Sequence, residues 1–124
     1  MSTFFVTGMP RSRTAWMAAW LTTDNTFCFH DVMTRPHLDL SGPGSCKYVG
    51  YSGPEVCLEA RKYSGIPCVT IHRSKEQALA SFLKIVKQHP EVKLTEKEIA
   101  QWWDERETLL GGLPGKHVSF DLLN

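Results

Sequence analysis

Phe4-Phe5-Val6-Thr7-Gly8-Met9-Pro10-Arg11-Ser12-Arg13-Thr14 runs from apolar residues through a glycine into a basic, hydroxyl-bearing stretch. Residues 4–7 read as a short strand ended by Gly8. Residues 12–21, rich in Ala, Trp, Met and Leu, read as a helix. Pro10 stands just before that helix, where a missing N–H costs little. Unpaired N–H groups at such a helix start point outward, and the helix dipole favours an anion there. Arg11 and Arg13 add forked donors, and Ser12 and Thr14 add hydroxyls. The loop is therefore a candidate phosphate or sulfate site; the bland alternative is a βα turn with two solvated arginines.

The rest of the chain continues the alternation. Phe27-Cys28-Phe29, Tyr48–Tyr51 and Cys68–Ile71 read as strands, and residues 54–63 as a helix stopped by Gly65 and Pro67. Residues 33–47, with Pro36, Gly42, Pro43 and Gly44, read as a loop. Ser74 with Gln77, and Thr95 with Glu98, have capping-box spacing and open helices over about 75–88 and 95–110. Val118–Phe120 reads as the last strand. The alternation predicts one domain over residues 1–124, of α/β class, with three α/β/α layers and a mostly parallel sheet. Ligands of such sheets sit at the carboxyl ends of the strands, so Gly8–Thr14 and His72-Arg73 are expected on one edge.

Composition narrows the class. The chain has 124 residues, 42% hydrophobic and 22% charged, with net charge +1. This is the balance of a soluble domain with no overall field for nucleic acid or anionic membrane. No apolar run reaches the roughly 18 residues of a membrane span. Met1-Ser2-Thr3 lacks the charge of a signal peptide, so the expected location is cytoplasmic. Cys28, Cys46, Cys57 and Cys68 form no C-x-x-C pair and read as reduced thiols, with a structural disulfide or metal site as the alternative; no metal is expected. Leu94–Ile99 has the look of a helix-turn-helix opening, but Glu96, Glu98, Asp104, Glu105 and Glu107 would repel phosphate. Of the adjacent Trp102 and Trp103, one is expected to pack and the other to offer an exposed surface, for a homo-oligomer or for an acceptor.

A kinase-type loop reads G-x-x-x-x-G-K-[ST]. Counted from Gly8, its second Gly and Lys fall on Arg13 and Thr14, so that motif is absent. Gly8-Met9-Pro10-Arg11-Ser12-Arg13-Thr14-Ala15-Trp16 instead resembles the 5′-phosphosulfate loop of the sulfotransferase family, G-x-P-[KR]-S-G-T-T-W. Arg13 replaces a glycine and Ala15 a threonine. A second family motif places an Arg after an apolar strand and a Ser eight residues on; Arg73 and Ser81 stand at that spacing. Val118-Ser119-Phe120-Asp121-Leu122 is similar to a third, V-x-Y-E-D-L. The chain ends before the basic, glycine-containing segment with which family members close over the 3′-phosphate, and it is much shorter than they are.

The resemblance implies a P-loop nucleotide-binding architecture of sulfotransferase type. It implies an enzyme moving a sulfuryl group from 3′-phosphoadenosine 5′-phosphosulfate to a hydroxyl or amine of a small-molecule or saccharide acceptor. Gly8, Pro10, Arg11, Ser12, Arg13, Thr14, Ala15 and Trp16 would hold the donor's 5′ side and adenine, and Arg73 and Ser81 its 3′-phosphate. Arg11 would stabilise transferring charge. His30 or Asp31, after the second strand, would take the acceptor proton, with His72 as a further candidate. Arg13 is expected at ordinary negative φ, with its side chain in or across the site. The alternatives are a nucleotide-binding module that has lost its chemistry, and a small kinase or nucleotide hydrolase.

Overall fold

The computed structural model describes residues 2–30, 47–63 and 65–123. Among these, β1 (Ser2–Gly8), β2 (Thr26–His30), β3 (Tyr48–Ser52), β4 (Cys68–His72) and β5 (Lys116–Ser119) form one sheet in the order β2-β3-β1-β4-β5. Every neighbouring pair runs parallel. The helices are α1 (Thr14–Leu21), α2 (Val56–Ala60), α3 (Lys75–Lys87) and α4 (Glu96–Gly111), and a 3-10 turn spans Phe120–Leu123. The architecture is the α/β, three-layer arrangement that the alternation predicts.

The direction of each crossover decides which face its helix covers. From β1 the chain moves outward to β2; from β3 it passes over β1 to β4, and then on to β5. Right-handed crossovers in opposite directions put their helices on opposite faces. Thus Met17 of α1 packs with Val6 and Ile71 on one face. On the other, Phe5, Tyr51, Val56, Ala78, Trp103 and Leu110 gather the larger core beneath α2, α3 and α4. β1 shows the period of two directly, with Phe5 in one cluster and Val6 in the other.

Several boundaries differ from expectation. The helix expected over 54–63 is only Val56–Ala60, because Arg61 and Lys62 offer the sheet nothing apolar. The first helix begins at Thr14 rather than at residue 12. The last strand starts at Lys116 and ends at Ser119, so Phe120 leaves the sheet in the 3-10 turn. Gly115 makes the early start feasible: its φ is +96°, and a Cβ there would collide with the Cys68 carbonyl. Ser74 stands at the start of α3 without a side-chain capping bond. Thr95 does cap α4, its Oγ1 accepting from the Glu98 N–H at 3.1 Å.

Of the two adjacent tryptophans, one packs as expected, but the other is not exposed. Trp103 is fully buried, and Trp102 is half-buried, stacked on Phe82 with centroids 6.1 Å apart. The exposed indoles are Trp16 and Trp20 of α1, which stack on each other at 5.8 Å. Cys28, Cys57 and Cys68 are buried free thiols; Cys46 lies outside the described residues. No described helix is long and apolar enough to cross a membrane.

Candidate anion-binding site

β1 and β4 are neighbours at the point where the crossovers diverge, the usual ligand position in a parallel sheet. Gly8 ends β1 hard against β4: a Cβ on it would lie 2.8 Å from the Ile71 carbonyl oxygen. The loop that follows has an alternating backbone. Arg11 and Arg13 have φ of 68° and 66°, and Ser12 between them stays on the negative side. Alternation of this kind turns successive N–H groups toward one side and makes an anion-binding concavity.

The negative φ expected at Arg13 is therefore wrong. Arg13 is the N-cap of α1 and sits in the left-handed region, which glycine adopts without strain and arginine does not. The side chain has its guanidinium carbon 4.5 Å from the Phe120 ring centroid.

The first helical bond of α1 runs from the Met17 N–H to the Arg13 carbonyl at 2.9 Å. The N–H groups of Thr14, Ala15 and Trp16 precede it and have no partner within the helix. Ser52 Oγ donates to the Thr14 carbonyl at 2.6 Å and ties the helix start to β3. Ser12 is fully buried, and its Oγ has no hydrogen-bond partner among the described residues. An unmet buried hydroxyl costs about 1–3 kcal/mol.

Arg73, one residue beyond β4, reaches back into the loop. Its Nη1 donates to the Arg11 carbonyl at 2.6 Å, and its guanidinium carbon lies 4.3 Å from the Phe120 centroid. Its Nε is buried without a partner among the described residues. Arg11 Nε donates to Ser81 Oγ on α3 at 3.1 Å. The sequence expectation grouped Ser81 with Arg73 at one phosphate. In the fold Ser81 is bonded to Arg11, so Ser81, Arg11 and Arg73 form one linked chain.

Together these groups wall a cleft of about 520 Å³, with Pro10, Arg11, Ser12, Arg13, Thr14, Ala15 and Trp16 on one side and Arg73 on another. His30, at the exposed carboxyl end of β2, lines it too. Asp31 lies outside the described residues. Among the described residues of the wall, His30 is the one side chain suited to take a proton. One face of Trp16 is covered by Trp20, and the exposed indole lines the cleft.

No family model, curated protein or solved structure matches the chain. The site is therefore read from its own geometry.

His72 is committed elsewhere. His117 Nε2 lies 2.9 Å from the Leu113 carbonyl, which can only accept, so Nε2 carries the proton. His72 Nε2–H then donates to His117 Nδ1 at 2.6 Å, with the rings stacked. Burial and the neighbouring His117 hold His72 below the usual histidine range, against an opposing pull from Glu107. His72 is not part of the cleft wall.

Sequence reading missed the apolar members of the wall: Pro54, Phe82, Ile85 and Phe120. Phe82 and Ile85 lie on α3. Phe120 belongs to the late stretch Val118–Leu122, and it leaves the strand to reach the cleft.

Proposed function

We propose that this chain binds a 3′,5′-bisphosphorylated adenine nucleotide in the cleft and transfers a sulfuryl group from 3′-phosphoadenosine 5′-phosphosulfate to a hydroxyl or amine. One observation carries the reading: a left-handed Arg on each side of a buried Ser12 whose hydroxyl lacks a partner, at the start of α1. The resemblance of Gly8–Trp16 to the phosphosulfate loop adds to it. The residues present suit such a donor. Two buried polar atoms beside the loop, Ser12 Oγ and Arg73 Nε, lack partners among the described residues, and three arginines line one cleft.

The donor supplies a sulfuryl group joined to a good phosphate leaving group. Ser12, Thr14 and the N–H groups at the start of α1 would hold the 5′-phosphate. Arg11 and Arg13 neutralise charge that grows as the bridging S–O bond breaks and the bond from the acceptor to sulfur forms. Arg73 takes the 3′-phosphate. Trp16 offers its uncovered face to adenine. His30 accepts the acceptor's proton. Arg11 is the residue whose loss should reduce kcat most, because it acts where charge develops.

Calorimetric titration with 3′,5′-bisphosphoadenosine, ADP and ATP, with and without magnesium, tests the reading. The bisphosphate should bind most tightly, and magnesium should not matter. Equal affinity for ADP would remove Arg73 from the site. Magnesium-dependent ATP binding would favour a kinase or nucleotide hydrolase. Tight binding with no turnover in an acceptor screen would leave a nucleotide-binding module.

A further inference from the structure

Phe120 is the residue that connects two of the three cleft arginines. The Arg13 and Arg73 guanidinium carbons lie 4.5 and 4.3 Å from its ring centroid. The two arginines come from distant parts of the chain, one at the start of α1 and one after β4. Phe120 is half-buried, is the first residue of the 3-10 turn, and packs against the cluster of Val6, Met17 and Ile71. Its ring is thus anchored to the α1-side core and faces the cleft.

Two guanidinium groups crowded at one mouth repel each other. An aromatic face carries negative quadrupolar charge and attracts each of them. Resting on one ring, they keep their positions before any anion arrives. A flexible arginine loses rotamer freedom when it binds, and that loss is smaller if the side chain is already held. Arg73 Nη1 is further fixed by the Arg11 carbonyl. Removing the ring leaves this bond but takes away the aromatic face on which both guanidinium groups rest.

We propose that the Phe120 ring is a positioning platform that holds the Arg13 and Arg73 guanidinium groups together over the cleft, ready for a doubly charged ligand. The effect on ligand affinity rests on the nucleotide reading above; the platform itself does not.

The test compares Phe120→Leu and Phe120→Tyr with the wild type in two measurements. The first is the NMR position of the Arg13 and Arg73 side-chain resonances without ligand. The ring should shift them upfield in the wild type and in Phe120→Tyr, and the shift should vanish in Phe120→Leu. The second is calorimetric titration with 3′,5′-bisphosphoadenosine. Phe120→Leu should weaken binding by about tenfold, and Phe120→Tyr by less than about twofold. Folding of each variant is checked by its amide spectrum. Arginine resonances unchanged in Phe120→Leu overturn the platform, whatever the protein binds. A Phe120→Leu chain that binds as well as the wild type overturns it too. If the wild type binds no nucleotide but the ring shifts follow the pattern, the nucleotide reading fails and the platform stands.

Discussion

Arg11 and Arg13 both occupy a backbone region that costs a non-glycine residue roughly 1–2 kcal/mol. Arg13→Gly should therefore raise stability by about 0.5–1 kcal/mol, the relief of strain exceeding the extra freedom glycine has in the unfolded chain. The same change removes a cation from the mouth and should weaken 3′,5′-bisphosphoadenosine several-fold. Urea midpoints and calorimetry read the two effects separately; a lower midpoint would show that the left-handed turn is not strained. The thiols give a second prediction at this scale. Burial pushes Cys28 up to about 12 and raises Cys57 and Cys68. All three should resist iodoacetamide at pH 8 in the native protein and react promptly in urea, as followed by mass spectrometry. The members of the loop were legible in the sequence, because position, charge and hydroxyl groups converge on Gly8–Thr14. The sign of φ at Arg13 was not, since it follows from how the loop must aim α1. Nor was the pairing of Ser81 with Arg11, which depends on where α3 passes.

Thr95 and Ser74 carry the same capping-box signature, yet only Thr95 makes the bond. Thr95→Ala should cost about 1 kcal/mol, whereas Ser74→Ala should change stability by no more than a few tenths. Denaturant melts of the two variants decide this, and equal losses would contradict the difference between the caps. Long, strongly periodic segments announced themselves: α3 and α4 lie within a residue or two of expectation. Short elements did not. α2 is shorter than its sequence pattern, and β5 is displaced toward Gly115, because tertiary contacts outweigh local preference over four or five residues.

At the scale of the molecule, Trp103 fills the core between α4 and the sheet, with its Nε1 donating to Glu107 at 3.0 Å. Trp103→Ala should destabilise by about 3–5 kcal/mol, read as a shifted denaturation midpoint. The His72–His117 pair links β4 to β5. His72 binds its proton less readily folded than unfolded, so below its ordinary pKa of 6.5 the unfolded chain takes up more protons. Stability is thus full above that value and declines as pH falls below it. His72 is only partly buried, so the decline is small, and His72→Gln should flatten it in melts between pH 7.5 and 5.5. The parallel sheet was legible from the alternation of strands and helices, but the order of its strands was not, because nothing local records which way each crossover turns. That order has a consequence for synthesis. β1 precedes the other described strands in the chain yet lies between β3 and β4. Phe4-Phe5-Val6 must leave the ribosome with both edges bare and wait for Tyr48–Ser52 and then Cys68–His72. Until then it is a sticky strand without a neighbour, the state in which nascent chains aggregate or engage chaperones. The cleft comes later still, since its wall includes Phe120, which follows β5.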